Sequence, residues 1–126
     1  MQVKIDTKEK FHAITINESN LAANMTADLE QRLLLFLERD VKNVVLILKD
    51  TQNIDDAAAE CLVRIQQSFY DAGSSFVICE LTSEVEKNLE SSGLLELMNV
   101  TPTESEAWDI VQMEELEREL LNGPDL

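Results

Sequence analysis

The chain has 126 residues, 44% of them apolar, with 25 acidic against 10 basic side chains and a formal net charge of −15. That length suits a single domain with a sizeable core, while the charge repels polyphosphate over most of the surface and argues against nucleic acid or anionic membrane as partners. No apolar run approaches the ~20 residues a transmembrane helix needs, and the start at Met1–Lys4 has no signal-peptide core, so a cytoplasmic location is expected.

Val3–Asp6 and His12–Ile16 alternate apolar and polar residues around a polar Thr7–Lys10, which predicts an opening β-hairpin, and Asn17–Asn20 reads as a turn. From Met25 to Arg39 the apolar residues Met25, Leu29, Leu33, Phe36 and Leu37 fall on one face of a helix. Val44–Leu48 is short, apolar and β-branched, as an interior strand is. After the Lys49–Asn53 loop, Ala58, Leu62, Ile65 and Phe69 recur at helical spacing. That helix ends near Asp71–Ala72, with Gly73 as the residue after the cap, and Phe76–Cys79 is the next strand. Strand, helix and strand with short joins imply a parallel crossover.

Ser83 and Glu86 have the spacing of a capping box and start a short helix through Leu89, closed by Gly93. Leu97–Val100 reads as a weak final strand. Thr103 and Glu106 repeat the capping box directly after Pro102, and the last helix uses Ala107, Ile110, Val111, Leu116 and Leu120. Residues 122–126 are expected to form a flexible acidic tail, because Gly123–Pro124 ends a helix and nothing apolar follows. The whole is an α/β protein: a single domain over 1–121, with a mixed sheet of about five strands and four helices mostly on one face.

The chemistry of the chain points to binding. Asp55 and Asp56 sit where a helix begins, and Asp is a favoured N-cap because its carboxylate accepts backbone N–H bonds that the first turn leaves unmade. One aspartate is explained in this way and the other is left free. Neighbouring helical residues diverge by about 100°, so the two do not face one reacting atom as an acid/base pair must. His12 is the one histidine, and a structural or exposed role fits it. Cys61 and Cys79 lack metal-ligand or disulfide-framework spacing and read as buried thiols. Three scattered glycines make no phosphate loop, no EF-hand spacing supports a metal, and no cofactor is implied. A small hydrolase built on Asp55 or Cys61 would need a deep polar pocket around either group.

Asp56, Glu60, Val63 and Gln67 recur at i, i+4, i+7 and i+11, with Ala59 beside them. The plain reading is a solvated helix surface; the sharper one is a docking surface centred on the helix start. From Thr103 onward the chain has eight acids and one base, so a basic patch on a partner protein is the natural complement, and self-association is also open.

Several of these residues together resemble the STAS domain of bacterial anti-sigma-factor antagonists. The matching segments are Leu48-Lys49-Asp50 through Ile54-Asp55-Asp56, then Ser91-Ser92-Gly93-Leu94, then Glu106-Ala107. Asp55 matches the family's Asp and Leu21 its Leu. Asp56 stands where the family has a phosphorylatable Ser or Thr, Ala57 and Ala58 where Ser and Gly follow, Glu60 where a small residue is usual, and Ala22 in place of an Asp. The resemblance implies a non-enzymatic module that switches protein partners, among them an anti-sigma-factor kinase, to control transcription. It also implies that the ordinary phospho-switch is lost here, since Asp56 has no hydroxyl. Thr51 is then the one hydroxyl left in the Asp50–Asp56 loop as a substitute acceptor. The family also contains scaffold modules within larger regulatory or lipid-transport complexes, which is the alternative reading.

Overall fold

The computed structural model describes residues 1–122, Asn122 by its backbone alone. The acidic tail expected at 122–126 therefore lies outside the described residues, apart from the backbone of Asn122, which ends the last helix.

A five-stranded sheet organises the chain. Its strands are β1 (Val3–Thr7), β2 (His12–Ile16), β4 (Val44–Ile47), β6 (Phe76–Cys79) and β7 (Val100–Thr101), in that spatial order. β1 runs antiparallel to β2, with Val3 opposite Ile16 and Thr7 opposite His12; the remaining pairs are parallel. β2, β4 and β6 are buried along their whole length, as expected of strands covered on both faces. The two edges are short or polar: β1 is largely exposed and β7 has two residues, both of which limit edge-to-edge pairing.

Three helices cover one face: α1 (Thr26–Leu34), α2 (Asp56–Asp71) and α3 (Ser83–Ser91). Their buried residues Leu29, Leu33, Leu62, Ile65, Phe69, Val85 and Leu89 meet Ile14, Ile16, Leu46 and Ile78 of the strands in the main core. The alternate strand residues Ala13, Val45, Ile47, Val77 and Cys79 point to the other face, where Ala107 and Val111 of α4 (Glu104–Asn122) close a smaller core with Phe11. The period of two in a strand produces this division. α1 is extended by single 3₁₀ turns at Ala23–Met25 and Leu35–Glu38, so the helical region spans nearly the predicted range. Gly73, with φ +72°, follows the α2 cap as predicted.

Three sequence-based boundaries shift. The final strand is Val100–Thr101, and Leu95–Leu97 forms a 3₁₀ turn. The α3 cap is Thr82, whose Oγ1 accepts from Val85 N at 3.4 Å and donates to Thr51 O at 2.9 Å; this tertiary bond selects it over Ser83. The predicted turn at Asn17–Asn20 contains the start of β3 (Asn20–Leu21), which pairs in parallel with β5 (Asn53–Ile54) as a second, two-stranded sheet.

Candidate functional site

α2 starts from a platform made by the loops after β2, β4 and β6. Gln52 and Asn53 donate backbone N–H bonds to Ser19 O at 2.8 and 3.0 Å, and Asp55 N donates to Leu21 O at 3.0 Å. Asn53 Nδ2 donates to Asn20 Oδ1 and Asn17 Nδ2 to Asp50 Oδ2, at 2.9 and 2.8 Å. Thr51 links both neighbours: its Oγ1 donates to Glu18 O, and its own carbonyl accepts from Thr82. The start of α2 is thereby fixed in place before any partner arrives, which lowers the ordering cost of binding there.

Asp55 is the N-cap, with extended backbone, and its Oδ1 accepts from Ala58 N at 2.8 Å. Its Oδ2 accepts from Ala23 N, also at 2.8 Å. Both carboxylate oxygens are thus committed to the protein's own backbone, and the group acts as a tie between α2 and the turn before α1. Asp56 is the first residue of α2 and is exposed, and its carboxylate has no hydrogen-bond or ion-pair partner among the described residues. Its negative charge sits at the positive end of the helix dipole.

Along the predicted stripe, Glu60 and Gln67 are exposed and Val63 is half-buried against the main core. Gln67 Nε2 donates to Asp71 Oδ1 at 2.8 Å. Ala59 does not belong to this surface. It is only 2% exposed and lies in the same apolar cluster as Leu29 and Leu33 of α1, where the absence of a longer side chain lets the two helices approach. Thr51 is likewise unsuited to modification, being 0% exposed with its hydroxyl already donated to Glu18 O.

The residues proposed for hydrolysis are spoken for. Cys61 is sealed in the core with its Sγ donating to Thr26 O at 3.6 Å, and burial pushes its thiol pKa up, the reverse of what a nucleophile needs. Cys79 is also buried, and burial, with Glu80 and then Glu104 adding to it, raises its pKa to about 12. His12 is structural: its ring bonds Thr7 Oγ1 and Val41 O and tilts against Phe36. Among the described residues no group of three or more His, Cys, Asp or Glu is arranged to hold a metal ion. No helix among them is long and apolar enough to cross a membrane.

No local residue pattern signals the backbone of Glu80. It has φ +57° at the end of β6, in the loop that leads to Thr82, a conformation that costs a non-glycine residue about 1–2 kcal/mol.

The family model of the STAS domain matches residues 2–107. The chain belongs to the STAS domain family. No curated protein sequence matches it significantly, but solved structures do. TM1081 from Thermotoga maritima superposes with a TM-score of 0.77 at 20% identity, over 89% of this chain and 90% of that one. An anti-sigma-factor antagonist (STAS) domain protein from Planctomyces limnophilus gives 0.74 at 14% identity, over 87% and 97%. The anti-sigma factor antagonist SpoIIAA in its unphosphorylated form gives 0.68 at 14%, over 88% and 96%. At these identities the likeness concerns the fold. It agrees with the element order and sheet described above, so this STAS domain has the architecture of the anti-sigma-factor antagonists.

Proposed function

We propose that this STAS domain is a non-catalytic, protein-binding regulatory module of the anti-sigma-factor-antagonist kind, with Asp56 as a fixed charge where relatives carry a phosphorylatable hydroxyl. The observation that carries this reading is the division of labour between two adjacent acids. Asp55 is consumed by the fold, while Asp56 presents an unpartnered carboxylate at a rigid, exposed helix start.

In a phospho-switch the incoming phosphate adds roughly −1.5 to −2 charge and strong acceptor oxygens to an interface built for a neutral hydroxyl. Asp56 already supplies about one negative charge at neutral pH and offers no hydroxyl to modify. The partner therefore tolerates or requires an acid at this position, and a Lys or Arg facing Asp56 is the contact that suits it. Glu60, Val63 and Gln67 continue the same surface along α2.

Incubation with an anti-sigma-factor kinase and ATP, followed by intact-mass measurement, tests the loss of the switch. The unmodified mass is expected, and a stoichiometric phosphate in the 50–56 segment or the first turn of α2 would overturn it. Affinity capture with the tagged domain tests the partner surface: Asp56→Lys is expected to release the captured partner, and a variant that retains it in full would refute the surface.

A second reading is favoured by the same missing hydroxyl, because a permanent charge suits a permanent complex. In that case the domain is a scaffold subunit, and capture yields stable, stoichiometric non-kinase subunits.

A further inference from the structure

On the face of the sheet opposite α2, the second half of α4 carries an apolar stripe with nothing against it. Met113, Leu116, Leu120 and Leu121 are 52%, 56%, 62% and 82% exposed, half of all the large apolar side chains exposed on the described surface. The first three follow a 3-then-4 spacing, which aligns them along one side of the helix, about 165° from the Ala107–Val111 side that packs on the sheet. The stripe continues into a groove of about 540 Å³ between α4 and the β1–β2 turn, which Phe11, Trp108 and Leu116 line. There the Phe11 and Trp108 rings stack at 5.2 Å.

A soluble helix that needs to bury one face has no use for a second, and a contiguous apolar strip of this kind marks a contact surface. Charge identifies the occupant. α4 holds seven acids and one base. The base, Arg118, donates to Ser75 Oγ at 3.3 Å, and Glu114 accepts from Ser75 and Asn99, so both are turned to the sheet side. On α4 itself the charges left flanking the stripe are Asp109, Glu117 and Glu119, all exposed and all negative; across the groove the β1–β2 turn adds Lys8, which pairs with Asp6 at 2.9 Å, Glu9 and Lys10. A second copy of this chain would set two such rows face to face at about 8–10 Å between helix axes, comparable to the ~8 Å screening length at physiological salt. Self-pairing is therefore opposed.

We propose that the Ile110–Leu121 face of α4 is a docking site for a basic amphipathic helix of another protein. An apolar seam on that helix covers Met113, Leu116 and Leu120, and its Lys or Arg flanks meet Asp109, Glu117 and Glu119, the helix-against-helix mode of recognition. This surface is independent of the one centred on Asp56.

The test is a titration of the full chain with a synthetic helix of about 14 residues that has a leucine seam and lysine flanks, followed residue by residue by NMR. Perturbations confined to residues 108–121 and the facing Lys8–Phe11 turn are expected. The decisive variant is Leu116→Glu with Leu120→Glu, which adds negative charge while removing the apolar seam; at positions this exposed the fold should be untouched. Docking through the seam predicts at least tenfold weaker binding, whereas simple attraction between opposite charges predicts tighter binding and would overturn the proposal. A scrambled peptide of the same composition binding equally well would overturn it too. So would a stable dimer in sedimentation that the double variant dissolves, which would assign the face to a second copy. Asp56→Lys is expected to leave the titration unchanged, so the two surfaces stand or fall separately.

Discussion

Asp55 bonds the backbone N–H of Ala23 at the same 2.8 Å as that of Ala58 in its own helix. One carboxylate thus caps α2 and ties it to the turn that launches α1, which makes the side chain a structural part although its residue is exposed. Replacing it removes an N-cap, worth about 0.5–2 kcal/mol, together with a charge-assisted bond to a second backbone donor. Asp55→Ala is expected to lower the unfolding free energy by about 2–3 kcal/mol. Asp56→Ala, which loses only a dipole interaction, is expected to cost under about 1 kcal/mol. Urea midpoints at unchanged slope measure both, and similar values for the two variants would contradict the assignment of roles.

A polar hub below the sheet offers a sharper energetic test. Asn43 is buried between the β1–β2 turn, the entry to β6 and α4. Its Nδ2 donates to Lys10 O and Glu115 Oε2 at 3.0 Å each, and its Oδ1 accepts from Ser74 Oγ and Ser75 N at 3.1 and 2.9 Å. Removing such a hub leaves several buried groups without partners, at about 1–3 kcal/mol apiece before relaxation. Asn43→Ala is expected to cost about 3 kcal/mol in total. Asn43→Asp should be worse at neutral pH than in mild acid, since its charge would face Glu115. A variant with wild-type denaturant stability at both pH values would show the hub to be dispensable.

Much of this was readable from the residues, and the gaps have physical causes. Val44–Leu48 and Phe76–Cys79 are apolar on both sides because both faces of the sheet are covered, and that pattern alone identified the central strands. The β3–β5 ladder was not readable: two residues on each side carry no periodicity, and the pairing is set by loop bonds such as Asn53 to Asn20. Thr82 and Ser83 are both good caps, and only the tertiary bond from Thr82 to Thr51 O decides between them. Ala59 misled because alanine is as much at home exposed as buried, so its spacing could not reveal that α1 lies against it. The helical spacing of Ala107, Ile110 and Val111 predicted α4, whereas Leu116 and Leu120, read with them, lie exposed on the opposite side of the helix; which sheet face α4 covers follows from the inward side of the strands and not from the helix. At the candidate site the cap was legible at Asp55, while its second partner, Ala23, is far away in sequence and left no local trace.

Cys79 should leave a signature in alkaline stability. Its folded pKa is raised from an ordinary 9.0 to about 12 by burial, then Glu80, then Glu104, so the folded chain holds the thiol proton more tightly than the unfolded chain does. Above the unfolded value the unfolded state binds fewer protons, and stability falls as pH rises. The contribution is complete below about pH 9 and is lost between there and about pH 12, at up to about 1.4 kcal/mol per pH unit. Cys61, raised in the same direction, steepens the fall. Cys79→Ala is expected to be less stable at pH 7 but to show a shallower decline from pH 9 to 11. Parallel slopes for the two proteins would remove Cys79 as the cause. Neither thiol should react with alkylating reagent at pH 8 in the folded chain.

An exposed carboxylate that meets a basic side chain contributes to association speed and specificity more than to fold stability, and its effect weakens with salt. For the captured partner, Asp56→Lys is expected to reduce affinity by about 10–100-fold, equivalent to ~1.4–2.7 kcal/mol. Asp56→Asn should lose less, and Gln67→Ala, already occupied with Asp71, less still. Wild-type binding should weaken as salt rises, whereas the Asn variant should respond less. Asp56→Ser restores a hydroxyl at the head of α2, so incubation with an anti-sigma-factor kinase and ATP should add phosphate to this variant and not to the wild type. If the Lys variant binds as well as the wild type and the Ser variant stays unmodified, the charge at position 56 is an ordinary surface acid, and the recognition surface must be sought elsewhere on the domain.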